Sequence, residues 1–180
     1  ITYVSIATLS PTEGGAEFVI TGENLSGLRP GVFSKLPTPN LFKVYYGKRA
    51  ELIKITVNST YYLADVIRFE PATENKNQGN LFCKTTSGVG KNYSIRLEVN
   101  GQLSNEVYNA GLSYFPPVLE RFTGIDAKGG KTSGQEAITL HGSNFGTNRN
   151  ADIVLKYSNV QSNIPHEYAA KDCTVVQDHK

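Results

Sequence analysis

The sequence predicts an all-β chain organised as two β-sandwiches in series, the second incomplete, and three observations carry that prediction. Val, Ile, Thr, Tyr and Phe are frequent, Met and Trp are absent, and glycine and proline recur at short intervals, which suits strands joined by turns. No stretch keeps an apolar period of about 3.6 residues, so long amphipathic helices are not expected. A turn–strand–bend segment also occurs twice, the mark of a repeat.

The first copy of that segment is Gly14-Gly15-Ala16-Glu17-Phe18-Val19-Ile20-Thr21-Gly22-Glu23-Asn24-Leu25. The second is Gly134-Gln135-Glu136-Ala137-Ile138-Thr139-Leu140-His141-Gly142-Ser143-Asn144-Phe145. They superpose without a gap, pairing Gly14 with Gly134, Gly22 with Gly142 and Asn24 with Asn144. Phe18/Ile138, Ile20/Leu140 and Leu25/Phe145 take the same apolar places. Each reads as a turn, a strand with one buried face, and a Gly-x-Asn bend whose backbone needs positive φ. Val44-Tyr45-Tyr46-Gly47 recurs in pattern as Ile153-Val154-Leu155-Lys156-Tyr157, but at a shorter offset. The first copy is therefore expected to carry an extra loop stretch across Gly27 to Asn40.

Further along copy one, Ile53, Ile55 and Val57 alternate with polar residues and predict a strand, as do Ile67 and Phe69. Tyr93, Ile95, Leu97 and Val99 alternate with Ser94, Arg96 and Glu98, and Asn100-Gly101 then supplies a two-residue hairpin turn. Together with Phe18, Ile20, Val44, Tyr46, Leu112 and Tyr114, these apolar residues form the expected first core. The last strand of copy one runs through Tyr114-Phe115 into Pro116-Pro117, a short stiff junction that sets the boundaries at 1–115 and 116–180. In copy two, Phe122, Ile138, Leu140, Phe145, Ile153 and Leu155 are expected to face a core completed by residues beyond Lys180 or by a partner chain. The chain thus reads as an excerpt of a longer polypeptide.

The run Phe82-Cys83-Lys84-Thr85-Thr86-Ser87-Gly88-Val89-Gly90-Lys91-Asn92 and the hairpin Val99-Asn100-Gly101-Gln102 resemble the family of IPT/TIG domains. The opening Leu9-Ser10-Pro11 with Gly14-Gly15, the Val19–Leu25 strand and the closing Tyr114-Phe115-Pro116-Pro117 resemble it too. Copy one is covered from end to end, copy two through its first half only. The resemblance implies tandem immunoglobulin-like β-sandwiches, a fold of plexins and scatter-factor receptors, of adhesion proteins in social amoebae and other protists, and of some transcription factors. It also implies, for many extracellular members, a disulfide from mid-domain to the cysteine before the Thr-Thr turn. Cys83 holds the later place, with no earlier partner in copy one. Cys173 resembles the earlier one, with its mate beyond the chain end. Two buried free thiols and a Cys83–Cys173 bridge between the copies remain open alternatives.

Chemistry is sparse. Gly88-Val89-Gly90-Lys91 fails the phosphate-loop pattern because Thr85 stands where glycine is needed and Asn92 where a hydroxyl is needed. His141, His166 and His179 lie at no metal-ligand spacing, and Asp152, Asp172 and Asp178 do not form a calcium loop. No catalytic, cofactor or metal residue is therefore nominated, and the chain reads as no enzyme. Net charge is +2 with acids and bases mixed, which argues against a nucleic-acid partner. No apolar run of about 20 residues is present, so the chain does not read as membrane-spanning.

Three sequons, at Asn24, Asn58 and Asn92, mark asparagines able to carry glycans and favour an extracellular or cell-surface location. Asn24 is the weakest of them because it also fills the bend. The pairs Tyr45-Tyr46 and Tyr61-Tyr62 place one ring of each outward, making Tyr45 and Tyr61 candidate contact aromatics. The expected function is a non-catalytic structural and recognition module for adhesion, receptor-type protein binding or assembly of a surface filament. Its expected partners are other domains of the same polypeptide, a protein or a second copy, and glycans. The alternatives are an accessory carbohydrate-associated domain of a secreted enzyme and, behind it, a DNA-binding module.

Overall fold

The computed structural model describes residues 1–6, 9–25, 41–72, 78–105, 107–124, 131–147, 153–158 and 167–179. The stretch expected as an insertion, 27–40, lies outside them, as do Asp152 and His166. By its internal contacts the chain divides into two compact units, Ile1–Phe115 and Pro116–Lys180.

Unit one is a barrel-like antiparallel sandwich. Among the described residues its strands are β1 (Tyr3–Ile6), β2 (Glu17–Glu23), β3 (Phe42–Gly47), β4 (Tyr62–Pro71), β5 (Gln78–Lys84), β6 (Tyr93–Val99), β7 (Gln102–Leu103) and β8 (Tyr108–Leu112), with a short helix, α1 (Arg49–Ile53), after β3. The hydrogen-bonded order is β1-β2-β5-β4-β3-β6-β7, with β8 also on β6. Strand β4 joins the two layers. Its first half pairs with β3 through Tyr62–Ala64, and its second half pairs with β5 from Asp65 to Pro71. Within the second half the register slips at Val66/Arg68, leaving Ile67 as a bulged residue. A parallel bridge between Ser10 and Tyr114 ties the opposite side.

Alternation dictates the core. Phe18, Ile20, Val44, Tyr46, Phe69, Leu81, Cys83, Ile95, Leu97, Leu112 and Tyr114 pack in one cluster between the layers. Asn100 and Gly101 both take positive φ at the β6–β7 turn, as a two-residue hairpin requires.

Two expected features differ. Ile53, Ile55 and Val57 form no strand: Ile53 ends α1, a turn follows, and Ile53 and Val57 are exposed. Their period of two was compatible with a strand, but Leu52 is the helix residue that becomes buried. Ile67 is exposed as well, because the bulge turns it outward and brings Val66 to the core in its place.

The described residues of unit two form two small sheets, β9 (Val118–Gly124) with β10 (Ile138–Ser143) and β11 (Lys156–Ser158) with β12 (Glu167–Ala169). Ile153–Leu155, expected to continue a β3-like strand, precede β11 instead of belonging to it. The β9–β10 hairpin repeats the geometry of β1–β2. Gly14 and Gly134 both have positive φ, and each amide donates to the carbonyl three residues earlier, on Pro11 and Lys131 respectively, at 3.0 Å. Asn24 and Asn144 both adopt left-handed φ, 57° and 63°. A Cβ on Gly22 would approach Leu25, and one on Gly142 would run into Phe145 and the Val118 carbonyl, so each bend folds the next apolar side chain back over its glycine.

Candidate functional site

The segment before β6 is where a phosphate loop would have to lie, and its backbone is already engaged. Four tyrosines gather beneath it, Tyr46, Tyr62, Tyr93 and Tyr114, with ring centroids 5.2–6.4 Å apart. The Tyr46 and Tyr114 hydroxyls hydrogen-bond each other at 2.7 Å, and Tyr114 donates to the Thr86 carbonyl at 2.7 Å. The Thr86 amide donates to the Tyr46 oxygen at 3.0 Å, the Val89 amide to the Tyr62 oxygen at 3.2 Å, and the Gly88 amide to the Thr12 carbonyl at 2.9 Å. These N–H groups cannot also cradle an anion, and a strand follows them where a helix N-terminus would be needed. Burial pushes the Tyr46, Tyr93 and Tyr114 phenols above their ordinary range. The assembly is a latch that holds the Thr85–Gly90 turn on the sandwich. Sequence reasoning saw the turn and placed Tyr46, Tyr93 and Tyr114 in the core, but not their meeting with Tyr62 beneath the turn, since the four come from separate segments.

The two candidate contact aromatics, Tyr45 in β3 and Tyr61 just before β4, differ in exposure. Tyr45 was expected outward, but it is only 7% exposed. It packs in a second small cluster with Leu52 of α1, Val107, Ile55 and Leu103. Its hydroxyl donates to Glu98 Oε2 at 2.7 Å, while Lys43 Nζ reaches Glu98 Oε1 at 2.8 Å. Desolvation first, then the Glu98 carboxylate, raises Tyr45 to about 12, and donation from Lys43 and Tyr45 lowers Glu98. Tyr45 is therefore a structural residue, because α1 covers it. Its neighbour Tyr61 stays 37% exposed, edge-on to the Tyr45 ring at 5.1 Å and 88°. Leu63, opposite Tyr45 in the β3–β4 register, is exposed beside them.

Arg96 explains why α1 sits on this face. It donates from Nη1 to the Leu52 and Ile53 carbonyls, both at 2.7 Å, and from Nε to the Ser104 carbonyl at 3.2 Å. The helix's last carbonyls are thus satisfied by a cation, in keeping with the dipole at that end. Arg49 Nη1 donates to the Val107 carbonyl at 2.6 Å and ties the start of the helix to the same connection.

All three sequon asparagines are exposed. Asn58 lies in the turn after α1, where the Ser59 amide donates to the Thr56 carbonyl at 3.1 Å. Asn92 has left-handed φ of 58° just before β6, and its sequon hydroxyl, on Ser94, is buried. Asn24 occupies the bend, and Ser26 of its sequon lies outside the described residues. Cys83 and Cys173 are both free thiols, the first buried and the second half-buried. Burial pushes the Cys83 thiol up to about 12.

At the other end of β6 an open groove of about 480 Å³ is lined by Leu25, Leu97, Val99, Leu103 and Tyr108. Among the described residues no cluster of His, Cys, Asp and Glu could hold a metal ion, and no helix is long and apolar enough to cross a membrane. Compared with known protein families, curated proteins and solved structures, the chain matches none.

Proposed function

We propose that the chain is a non-catalytic, repeat-built recognition module of the extracellular space or cell surface, made of immunoglobulin-like sandwiches of the IPT/TIG type. It serves adhesion, receptor-type binding or assembly of a surface structure. The observation that carries the reading is the shared backbone of the two hairpins. The same turn, strand and left-handed Asn recur in separate units, as a chain of serial modules requires. Two further features support it. The loop best placed for phosphate chemistry has its amides consumed by tyrosines. Tyr61 and Leu63 offer an exposed apolar contact, and Asn58 stands open to modification.

Intact mass of natively produced protein, before and after enzymatic removal of N-glycans, tests the compartment. A mass loss that shrinks in an Asn58→Gln variant is the expected result. A mass unchanged by the treatment removes the support the sequons lend to a surface location.

A further inference from the structure

Strand β4 changes partners along its length, and the change leaves part of it bonded on one side only. Tyr62–Ala64 pair with β3, whereas pairing with β5 starts at Asp65. Among the described residues, no strand and no loop main chain bonds the side of Tyr62–Ala64 that faces away from β3. Both ends of this open stretch are fixed. Before it, the Thr60 amide donates to Glu51 Oε2 at 3.3 Å, and after it the register slips past Ile67. The free edge is therefore Tyr61–Asp65.

An edge is normally blunted by lysine, proline or an inward-pointing charge. Tyr61-Tyr62-Leu63-Ala64-Asp65 has none of these, and the bulge at Ile67 limits the edge without covering it. Its one charge, on Asp65, is exposed and enters no ion pair among the described residues. Tyr61 and Leu63 are exposed as well.

The segment matches itself in reverse. When two copies pair antiparallel about a twofold axis at Leu63, Leu63 meets Leu63, and Tyr61 meets Asp65 of the other copy, whose carboxylate can accept from the phenol. On the opposite face the large Tyr62 lies beside the small Ala64. A register centred on Ala64 would instead set Asp65 against Leu63. Every position thus finds a suitable partner within the same five-residue sequence, which is what selects a second copy as the occupant.

We infer that Tyr61–Asp65 is a homotypic contact, through which two copies of this chain join their β4 edges antiparallel about Leu63. The inference rests on the contact role proposed above for Tyr61 and Leu63, and names the partner. A contact this small is weak in a single module, and modules in series strengthen it by avidity.

Sedimentation equilibrium of the full chain, carrying Cys173→Ser so that only the buried Cys83 thiol remains, tests it. The expected result is a reversible dimer, half-formed between micromolar and millimolar chain, that Leu63→Lys weakens about tenfold or more with unchanged far-ultraviolet circular dichroism. Register is read by crosslinking. Under mild oxidation Leu63→Cys should form a disulfide-linked dimer about tenfold faster than Ile53→Cys, an equally accessible site off the edge. A chain that stays monomeric at millimolar concentration overturns the inference. So does a dimer that Leu63→Lys leaves intact, which places the contact elsewhere, and so do equal crosslinking rates at the two cysteines. None of these outcomes bears on the glycan measurement, which judges the surface location separately.

Discussion

The tyrosine latch is held by hydroxyls as much as by rings. Removing one hydroxyl with Tyr114→Phe takes one partner from the Tyr46 hydroxyl and one from the Thr86 carbonyl, which still face each other at 3.3 Å, at a cost of about 1 kcal/mol in urea unfolding. Gly88→Ala should cost about 1–3 kcal/mol by overpacking, since the new methyl would stand 2.7 Å from the Tyr114 hydroxyl and 2.8 Å from the Tyr62 ring. The raised phenols set the alkaline behaviour. A phenol whose pKa is raised on folding keeps its proton in the native state after the unfolded chain has lost it. Stability from Tyr45, Tyr46, Tyr93 and Tyr114 is therefore fully present below about pH 10 and declines as pH rises beyond it. Ultraviolet titration should show part of the tyrosine ionising only together with unfolding. Individual backbone demands were legible in the sequence: Asn24, Asn100, Gly101 and Asn144 all adopt the positive φ that their motifs called for. The burial of Tyr45 was not, because what covers it comes from Leu52 and Val107, remote in its own pattern of alternation.

Among elements, α1 shows where local pattern loses to distant partners. Ile53, Ile55 and Val57 satisfy a strand's period, yet Arg96 captures the carbonyls of Leu52 and Ile53 and fixes a helical turn. Arg96→Met keeps much of the side-chain bulk but abandons those carbonyls. It should lower stability by about 2 kcal/mol with little change in far-ultraviolet circular dichroism. Leu52→Ala, which empties a fully buried site, should cost about 2–4 kcal/mol by the same measurement. The bulge in β4 is a similar case. Alternation reads Ile67 and Phe69 as one face, and only the register slip within the β4–β5 pairing reveals Ile67 as the extra residue. The strands β2 and β6, by contrast, bury the residues their alternation nominated, because each meets the opposite layer without interruption.

In the whole molecule, unit one has a closed hydrophobic cluster while the apolar residues of β9 and β10 stand open, so protection should be strongly uneven. The slowest-exchanging amides should fall in β2, β3, β5 and β6, and those of β9 and β10 should exchange orders of magnitude faster. Uniform protection would contradict that picture. Residues 1–115 alone should unfold cooperatively, as a domain with its own core does. The bridge at Ser10 and Tyr114 has a mechanical consequence. There the Ser10 amide donates to the Ser113 carbonyl and the Phe115 amide to the Ser10 carbonyl, both at 2.8 Å, between segments running in the same direction. Tension applied to the two ends of unit one drags those segments in opposite senses along their length once β1 slackens. The bonds are then loaded in shear and must fail together, whereas a hairpin pulled at its open end would unzip rung by rung.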